Sequence, residues 1–187
     1  MVQDFNKDKK NFLDGNLYTL YIEIATVTAE LKLLSDQIDI KDPTTQKHIN
    51  KIVFQFFYQH GLLTLAIFVS GRNGQGFGST FNLILKKSDC TSQYSIDGQD
   101  VYLGDQEINN QDNGWADLKS WISGKKYKFL AFKPNLVPSD INNGNGMGGS
   151  SIIYTIYPVI NKSDLCIVPT NLATTLKTNP SPPHHGN

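Results

Sequence analysis

The side-chain pattern of this chain changes at Gly61, and that change limits the fold more than any other feature of the sequence. Before Gly61, apolar residues recur at intervals of three and four, a spacing typical of amphipathic helices. After it, residues 62–69 are almost continuously apolar, as in a buried strand. The pattern therefore predicts helices N-terminal to Gly61 and a sheet C-terminal to it.

Two helices are predicted in the N-terminal part. The first covers residues 16–34, with Asp14 or Asn16 as a cap, although β-branched residues in segment 21–28 leave a strand as the alternative. Its apolar stripe consists of Leu17, Leu20, Tyr21, Ile24, Val27, Thr28, Leu31 and Leu34. The second covers residues 43–60, between a start at Asp42-Pro43 and a stop at Gly61. Its stripe consists of Ile49, Ile52, Val53, Phe56, Phe57 and His60.

The C-terminal part is predicted to form strands and one short helix. Residues 62–69 and 80–87 form an antiparallel hairpin around the glycine-rich loop 71–78. The spacing of Trp115, Leu118, Trp121 and Ile122 predicts a helix that ends at Gly124. Further strands are predicted over residues 93–96, 101–103, 126–132 and 151–157, with Pro134 ending the third of them.

These elements predict an α+β fold. Two N-terminal helices pack on an antiparallel sheet, with a short helix near residues 115–123 and a Pro-rich C-terminal tail. The expected organisation is a mobile segment over residues 1–13, a single domain over 14–169 and an extended tail over 170–187. A length of 187 residues suits one domain.

Charge and cysteine content exclude some classes of partner. Lys and Arg together number 17, as do Asp and Glu, and Arg72 is the only arginine, so nucleic-acid binding is not expected. No stretch reaches the roughly 20 apolar residues of a membrane span. The default location is the cytoplasm, with export without a leader as the open alternative. Cys90 and Cys166 are expected to be two ordinary thiols, since they lie far apart in the sequence.

Two groups of residues are candidate ligand sites. Arg72, Asn73 and Phe77 lie on the glycine-rich loop and would contact a partner there, while a phosphate site is not supported because a strand follows the loop. The second group combines ring faces with polar side chains that suit a sugar. It consists of Trp115, Trp121, Asn110, Asp112 and Asn113. Core packing of both tryptophans is the favoured alternative.

A third candidate is an acidic interval between Lys87 and Lys119 that contains no cation. Its carboxylates would suit calcium, although their spacing matches no EF-hand, and solvated turns are the favoured interpretation. The predicted calcium ligands are Asp97, Asp100, Asp105 and Asp112. No other cofactor is expected.

No arrangement of nucleophile, base and orienting group is evident around His48, His60, Cys90 or His184-His185. The leading hypothesis is therefore a non-enzymatic binding or structural-assembly protein that recognises a carbohydrate or a protein through its Asn/Gly/aromatic loops. Exposed aromatics and strand edges would be covered in a homo-oligomer. The alternatives are a hydrolase using carboxylates of segment 97–117, with or without a metal, and a component of a larger particle or secretion apparatus.

Overall fold

A computed structural model describes ten stretches of the chain. They cover residues 17–38, 43–44, 51–59, 62–70, 76–92, 101–102, 105–108, 111–138, 150–171 and 175–180. The strands are β1 (Leu17–Glu23), β2 (Lys51–Gln59), β3 (Leu62–Ser70), β4 (Gly76–Ile84), β5 (Lys86–Ser92), β6 (Val101–Tyr102), β7 (Asp105–Ile108), β8 (Phe129–Pro138), β9 (Ser150–Val159) and β10 (Leu176–Pro180). The helices are α1 (Ile24–Ile38), α2 (Gln111–Ser123) and a 3-10 helix (Lys162–Cys166).

The strands form two antiparallel sheets that are joined edge to edge. One sheet has the order β5-β1-β8-β9 and the other the order β4-β3-β2. Short strands connect them, because β7 pairs with β2 and β10 pairs with both β7 and β9. Strand β6 pairs in parallel with the start of β9. The predicted α+β class is confirmed, but the prediction of two N-terminal helices on one sheet is wrong, since α2 lies between β7 and β8.

The first predicted helix is half strand and half helix. Residues 17–23 form β1, held between β5 and β8, and the helix begins only at Ile24. Within α1 the expected stripe is present, with Ile24, Val27, Leu31 and Leu34 all buried. Residues 17–23 form a strand because two neighbouring strands take up their backbone donors and acceptors. The local sequence does not reveal these distant partners.

The second predicted helix is wrong where the structure describes it. Residues 51–59 form β2, which pairs antiparallel with β3 at nine positions. The side chains of Ile52, Phe54 and Phe56 alternate into the core, while Val53 is buried on the opposite face. Burial on both faces hides the two-residue period and mimics a helical spacing. Gly61 therefore separates two strands and not a helix from a strand.

The remaining predicted elements are largely confirmed. Strand β3, its antiparallel hairpin with β4, helix α2 and strand β9 lie close to their expected positions. Several bounds differ. Strand β4 begins at Gly76, inside the predicted loop, and ends at Ile84, because residues 86–87 belong to β5. Strand β8 begins at Phe129 and not at residue 126, and it continues through Pro134 to Pro138. Strand β1 pairs with β8 only as far as Phe132. The pairing of these two strands therefore needs no backbone amide at Pro134. Segment 93–96 lies outside the described residues.

A large apolar core, here called the main core, lies between the two sheets and beneath both helices. The Phe56 and Tyr154 rings stack at 4.3 Å, and Phe132 meets both Phe54 and Phe56 edge to face at 6.2 Å. In a flat sheet β2 and β8 would lie about 19 Å apart, four strand spacings. The ring contacts therefore show that the joined sheets curl until their inner faces meet.

A smaller group of buried residues, the back cluster, lies on the opposite face of the four-stranded sheet. It consists of Tyr21, Ala131, Tyr157, Val159 and Leu165. The 3-10 helix contributes Leu165 to this cluster, and the Leu165 carbonyl accepts a 2.6 Å hydrogen bond from the Tyr157 hydroxyl. This bond ties the 3-10 segment to β9.

A disulfide between Cys90 and Cys166 joins β5 to the end of the 3-10 helix. The expectation of two ordinary thiols is therefore wrong. The two residues are 76 positions apart in sequence, but the sheet brings their Cα atoms within 5.3 Å, inside the usual range for a disulfide. Sequence separation alone does not limit distance in a sheet built from non-local strands.

Strand β5 carries an irregularity just before this disulfide. The register places residues 88–90 opposite the single residue Thr19 of β1. Ser88 stabilises the bulge, because its hydroxyl donates to the Thr19 carbonyl at 2.5 Å and accepts from the Cys90 amide at 3.2 Å. The bulge thus holds Cys90 where the sheet edge meets the 3-10 helix.

The predicted C-terminal tail contributes a strand to the sheet. Residues 176–180 form β10, and Leu176 is buried in the main core. A five-residue strand ending in proline has too little pattern to be recognised before its neighbours are known. Residues 181–187 lie outside the described residues.

Candidate functional site

A groove between α1 and α2 forms an apolar cavity on the described part of the chain. It has a volume of about 350 Å³ and is open to solvent. The residues lining it are Thr28, Leu31 and Lys32 of α1 with Trp115, Lys119, Ile122 and Ser123 of α2. Both helices therefore contribute to one concave surface.

The spacing of these residues on each helix explains why they meet. On α1 they are related by three and four positions, and on α2 the side chains of Trp115, Lys119 and Ile122 follow at four and three. Such spacing places side chains on one helix face. Leu31, Trp115 and Ile122 are buried and form the floor, whereas Lys32 is exposed at the rim.

Among the described residues, the groove is lined by two lysines and by no carboxylate. The ammonium group of Lys119 lies 5.6 Å from the centre of the Trp115 ring, within the range of a cation–π contact. The two hydroxyl groups are engaged within their own helices: Thr28 donates to the Ile24 carbonyl at 2.8 Å and Ser123 to the Lys119 carbonyl at 2.6 Å. The lining therefore offers apolar surface and positive charge, but no paired nucleophile and base.

A second open cavity, also of about 350 Å³, adjoins the groove. Its lining consists of Glu23, Ile24, Ala25, Thr28, Tyr127, Lys128 and Phe129, so Thr28 belongs to both cavities. Beside it, the Lys86 ammonium donates to the Glu23 carboxylate at 2.5 Å. This hydrogen bond and the opposite charges lower the pKa of Glu23 and raise the pKa of Lys86. The carboxylate of the second cavity is thus already paired.

Both tryptophans of the predicted sugar platform are buried. Trp115 is 3% exposed and Trp121 is 5% exposed, and both pack in the main core. Core packing was the favoured alternative for these residues. Trp115 nevertheless reaches the floor of the groove, so it remains part of a candidate site with a different set of neighbours.

The other predicted site residues lie where the structure gives no side-chain description. Arg72, Asn73, Asn110, Asp97 and Asp100 fall outside the described residues. For Phe77 in β4, Asp105 in β7, and Asp112 and Asn113 in α2, only the backbone element is described. Among the residues that are described, no group of three or more His, Cys, Asp or Glu is arranged to hold a metal. Loop recognition of a carbohydrate or protein and calcium binding stay predictions.

Sequence reasoning missed the groove as a site. Leu31 and Ile122 were recognised only as members of apolar stripes, Lys119 only as the end of the acidic interval, and Lys32 was not singled out. A usable signal was present, because each lysine lies one residue or one turn from the apolar stripe of its helix. The approach of the two helices, separated by more than 70 residues, could not be read from that signal.

No protein-family model, curated protein or solved structure matches this chain. Within the stretches that the structure describes, neither helix has the length and apolar character needed to cross a membrane.

Proposed function

We propose that the protein is a non-enzymatic binding protein and that the groove between α1 and α2 takes a small amphipathic anion. The observation that carries this proposal is the lining that the structure describes: a buried apolar floor of Leu31, Trp115 and Ile122, with Lys32 and Lys119 as the charged residues beside it. The apolar body of the ligand would lie on the floor, and its anionic group would face the lysines.

The size of the groove favours a small ligand over a polymer. Ligand sites occupy about 300–1,000 Å³, and the groove lies near the lower end of that range at about 350 Å³. Its charge favours an anion, because a lining with two cations and no carboxylate attracts negative charge. The engaged hydroxyls of Thr28 and Ser123 favour binding over covalent catalysis.

The probe for this proposal is 1-anilinonaphthalene-8-sulfonate, an aromatic body with one sulfonate. Titration by fluorescence should show saturable binding to the folded protein. Thr28→Trp fills the mouth of the groove from an exposed helix position and should abolish that binding. Lys32→Glu should weaken it about threefold to tenfold, since it reverses one of two nearby charges.

The matched control is Lys162→Glu, which reverses a lysine on the 3-10 helix at the back of the four-stranded sheet. It should leave probe affinity unchanged. Melting curves for all variants identify any that bind the dye through partial unfolding. Equal affinity in wild type, Thr28→Trp and Lys32→Glu would overturn the groove as the binding site.

We also propose that the protein folds in an oxidising compartment, in place of the cytoplasmic default. The support is the Cys90–Cys166 disulfide, since disulfides persist in oxidising environments and are rare where thiols are kept reduced. Protein produced in an oxidising compartment should carry no thiol reactive with 5,5′-dithiobis(2-nitrobenzoic acid) at these positions in denaturant. Two reactive thiols per chain in that material would contradict the proposal.

A further inference from the structure

We propose that β4 is a dimer interface at which two copies of this chain pair edge to edge, antiparallel, about a two-fold axis. Strand β4 ends the hydrogen-bonded order of strands, with β3 on its inner side and no partner among the described residues on its outer side. An edge strand presents a row of backbone donors and acceptors that can pair with another chain. This interface is independent of the groove between the helices.

The charge of β4 favours a second copy as the partner. Residues 73–85 contain no charged side chain, and β4 lies wholly within this interval. Antiparallel two-fold pairing places a residue near the axis against its own copy, so a charge at that position would approach a like charge. A neutral strand is therefore the kind that can pair with itself without electrostatic cost.

The other edge of the sheet shows the contrast. Strand β5 carries Lys86, Lys87 and Asp89, and a two-fold axis at the centre of the strand would place Asp89 of one copy against Asp89 of the other. Charged side chains on an edge, lysine above all, are a recognised means of preventing such pairing. Of the two strands that end the described order, β4 is the one without this protection.

The described side chains of β4 suit an interface at its C-terminal half. Phe81 and Leu83 face the main core, whereas Thr80, Asn82 and Ile84 are exposed on the other face. Ile84 is 59% exposed, and α1, which packs against β4, carries Leu33 at 63% exposure. Ile84 lies on β4 itself, so a second copy paired along this strand would cover apolar surface there.

The register of β4 indicates where the axis lies. Residues 78–80 face the single residue Phe68, which is a bulge that interrupts the ladder, while residues 81–84 pair regularly with 64–67. Regular backbone geometry is needed for a new strand to add. We therefore place the two-fold axis within residues 81–84, with Asn82 near its centre.

Size-exclusion chromatography with light scattering on the full chain tests this proposal. Wild type should have twice the chain mass at high concentration. Asn82→Lys and Asn82→Glu, each at an exposed position, should each give a monomer because like charges meet across the axis. An equimolar mixture of the two variants should restore a dimer, since opposite charges then meet.

The matched control is Thr91→Lys, which adds the same charge at an exposed position of the β5 edge and should leave the dimer intact. Melting curves check that every variant is folded. A wild type that stays monomeric at all concentrations would overturn the proposal. A dimer that survives Asn82→Lys but dissociates in Thr91→Lys would also overturn it, since it would place the interface at β5.

Discussion

The two faces of the four-stranded sheet are stabilised in different ways. One face packs in the main core, against the second sheet and both helices, with Phe132 among its most deeply buried side chains. Among the described residues, the other face carries only the back cluster, over which lie the 3-10 helix and a disulfide. The comparison shows that a large apolar interface needs no covalent tie, whereas a small one is held by a cross-link and a buried hydrogen bond.

The physical reason is the ratio of buried surface to ordered chain. Each ordered residue costs about 1–2 kcal/mol of backbone entropy, and the short 3-10 segment buries a single large side chain, Leu165. Burying one leucine contributes about 1.5–3 kcal/mol. That contribution does not offset the ordering of several residues, so the segment relies on the disulfide and on the bond from Tyr157.

The largest expected effect comes from matched truncations on the two faces of β8. Phe132→Ala leaves a cavity in the main core and should lower the free energy of unfolding by about 3–5 kcal/mol. Phe129→Ala, on the same strand but half-buried against the back cluster, should cost less than half as much. Urea unfolding of the two variants measures both losses in the free energy of unfolding. Equal losses would remove the distinction between the two faces.

An intermediate effect is expected when the cross-link is removed. Cys90→Ser/Cys166→Ser should lower the free energy of unfolding by about 2–4 kcal/mol, because the unfolded chain regains the entropy that the tie had removed. Hydrogen exchange should quicken at the 3-10 helix and remain slow in β2 and β3. Uniform acceleration over the whole chain would show that both faces depend on the disulfide to the same degree.

The smallest expected effect concerns the Tyr157 hydroxyl. Tyr157→Phe leaves the buried Leu165 carbonyl without its hydrogen bond and should cost about 1–3 kcal/mol. Exchange should again quicken first in the 3-10 helix, which the tyrosine holds to β9. A loss as large as that of Phe132→Ala would contradict the local role given to this bond.

The same variant has a pH signature. Burial raises the pKa of Tyr157 to about 12, although a hydrogen bond with Thr19 acts in the opposite direction. A phenol with an ordinary pKa of about 10 when unfolded then contributes stability that is complete below that pH and is lost as the pH rises toward 12. Tyr157→Phe should show a shallower fall over this interval. Burial also raises the pKa of Tyr154. Because Tyr154 is present in both the wild type and Tyr157→Phe, it does not change the difference between their pH profiles.

Predictions from sequence succeeded where one side of an element is buried. Helix α2 is an example: Trp115, Leu118 and Ile122 lie on one face, Gly124 follows the end, and the structure confirms the element. They failed at β2, where Val53 is buried opposite Phe54 and the alternation disappears. They failed at β1 because its stripe continues into α1 without a break in hydrophobicity.

The candidate site was predicted less well than the fold. Trp115 was singled out, but for its ring face and not as the floor of a groove. Leu31 was assigned only to an apolar stripe, and Lys32 was not singled out. The reason is that a groove between two helices depends on how they approach each other, and the residues between α1 and α2 carry no signal for that approach.

By itself the sequence determined the α+β fold class, the most regular elements and the neutral stretch that forms an edge strand, because these depend on local pattern and composition. Tertiary structure alone decided that Cys90 meets Cys166, that the joined sheets curl around one core and that the two helices leave a groove. These features depend on contacts between residues far apart in the chain, where the free energy comes from packing and not from local preference.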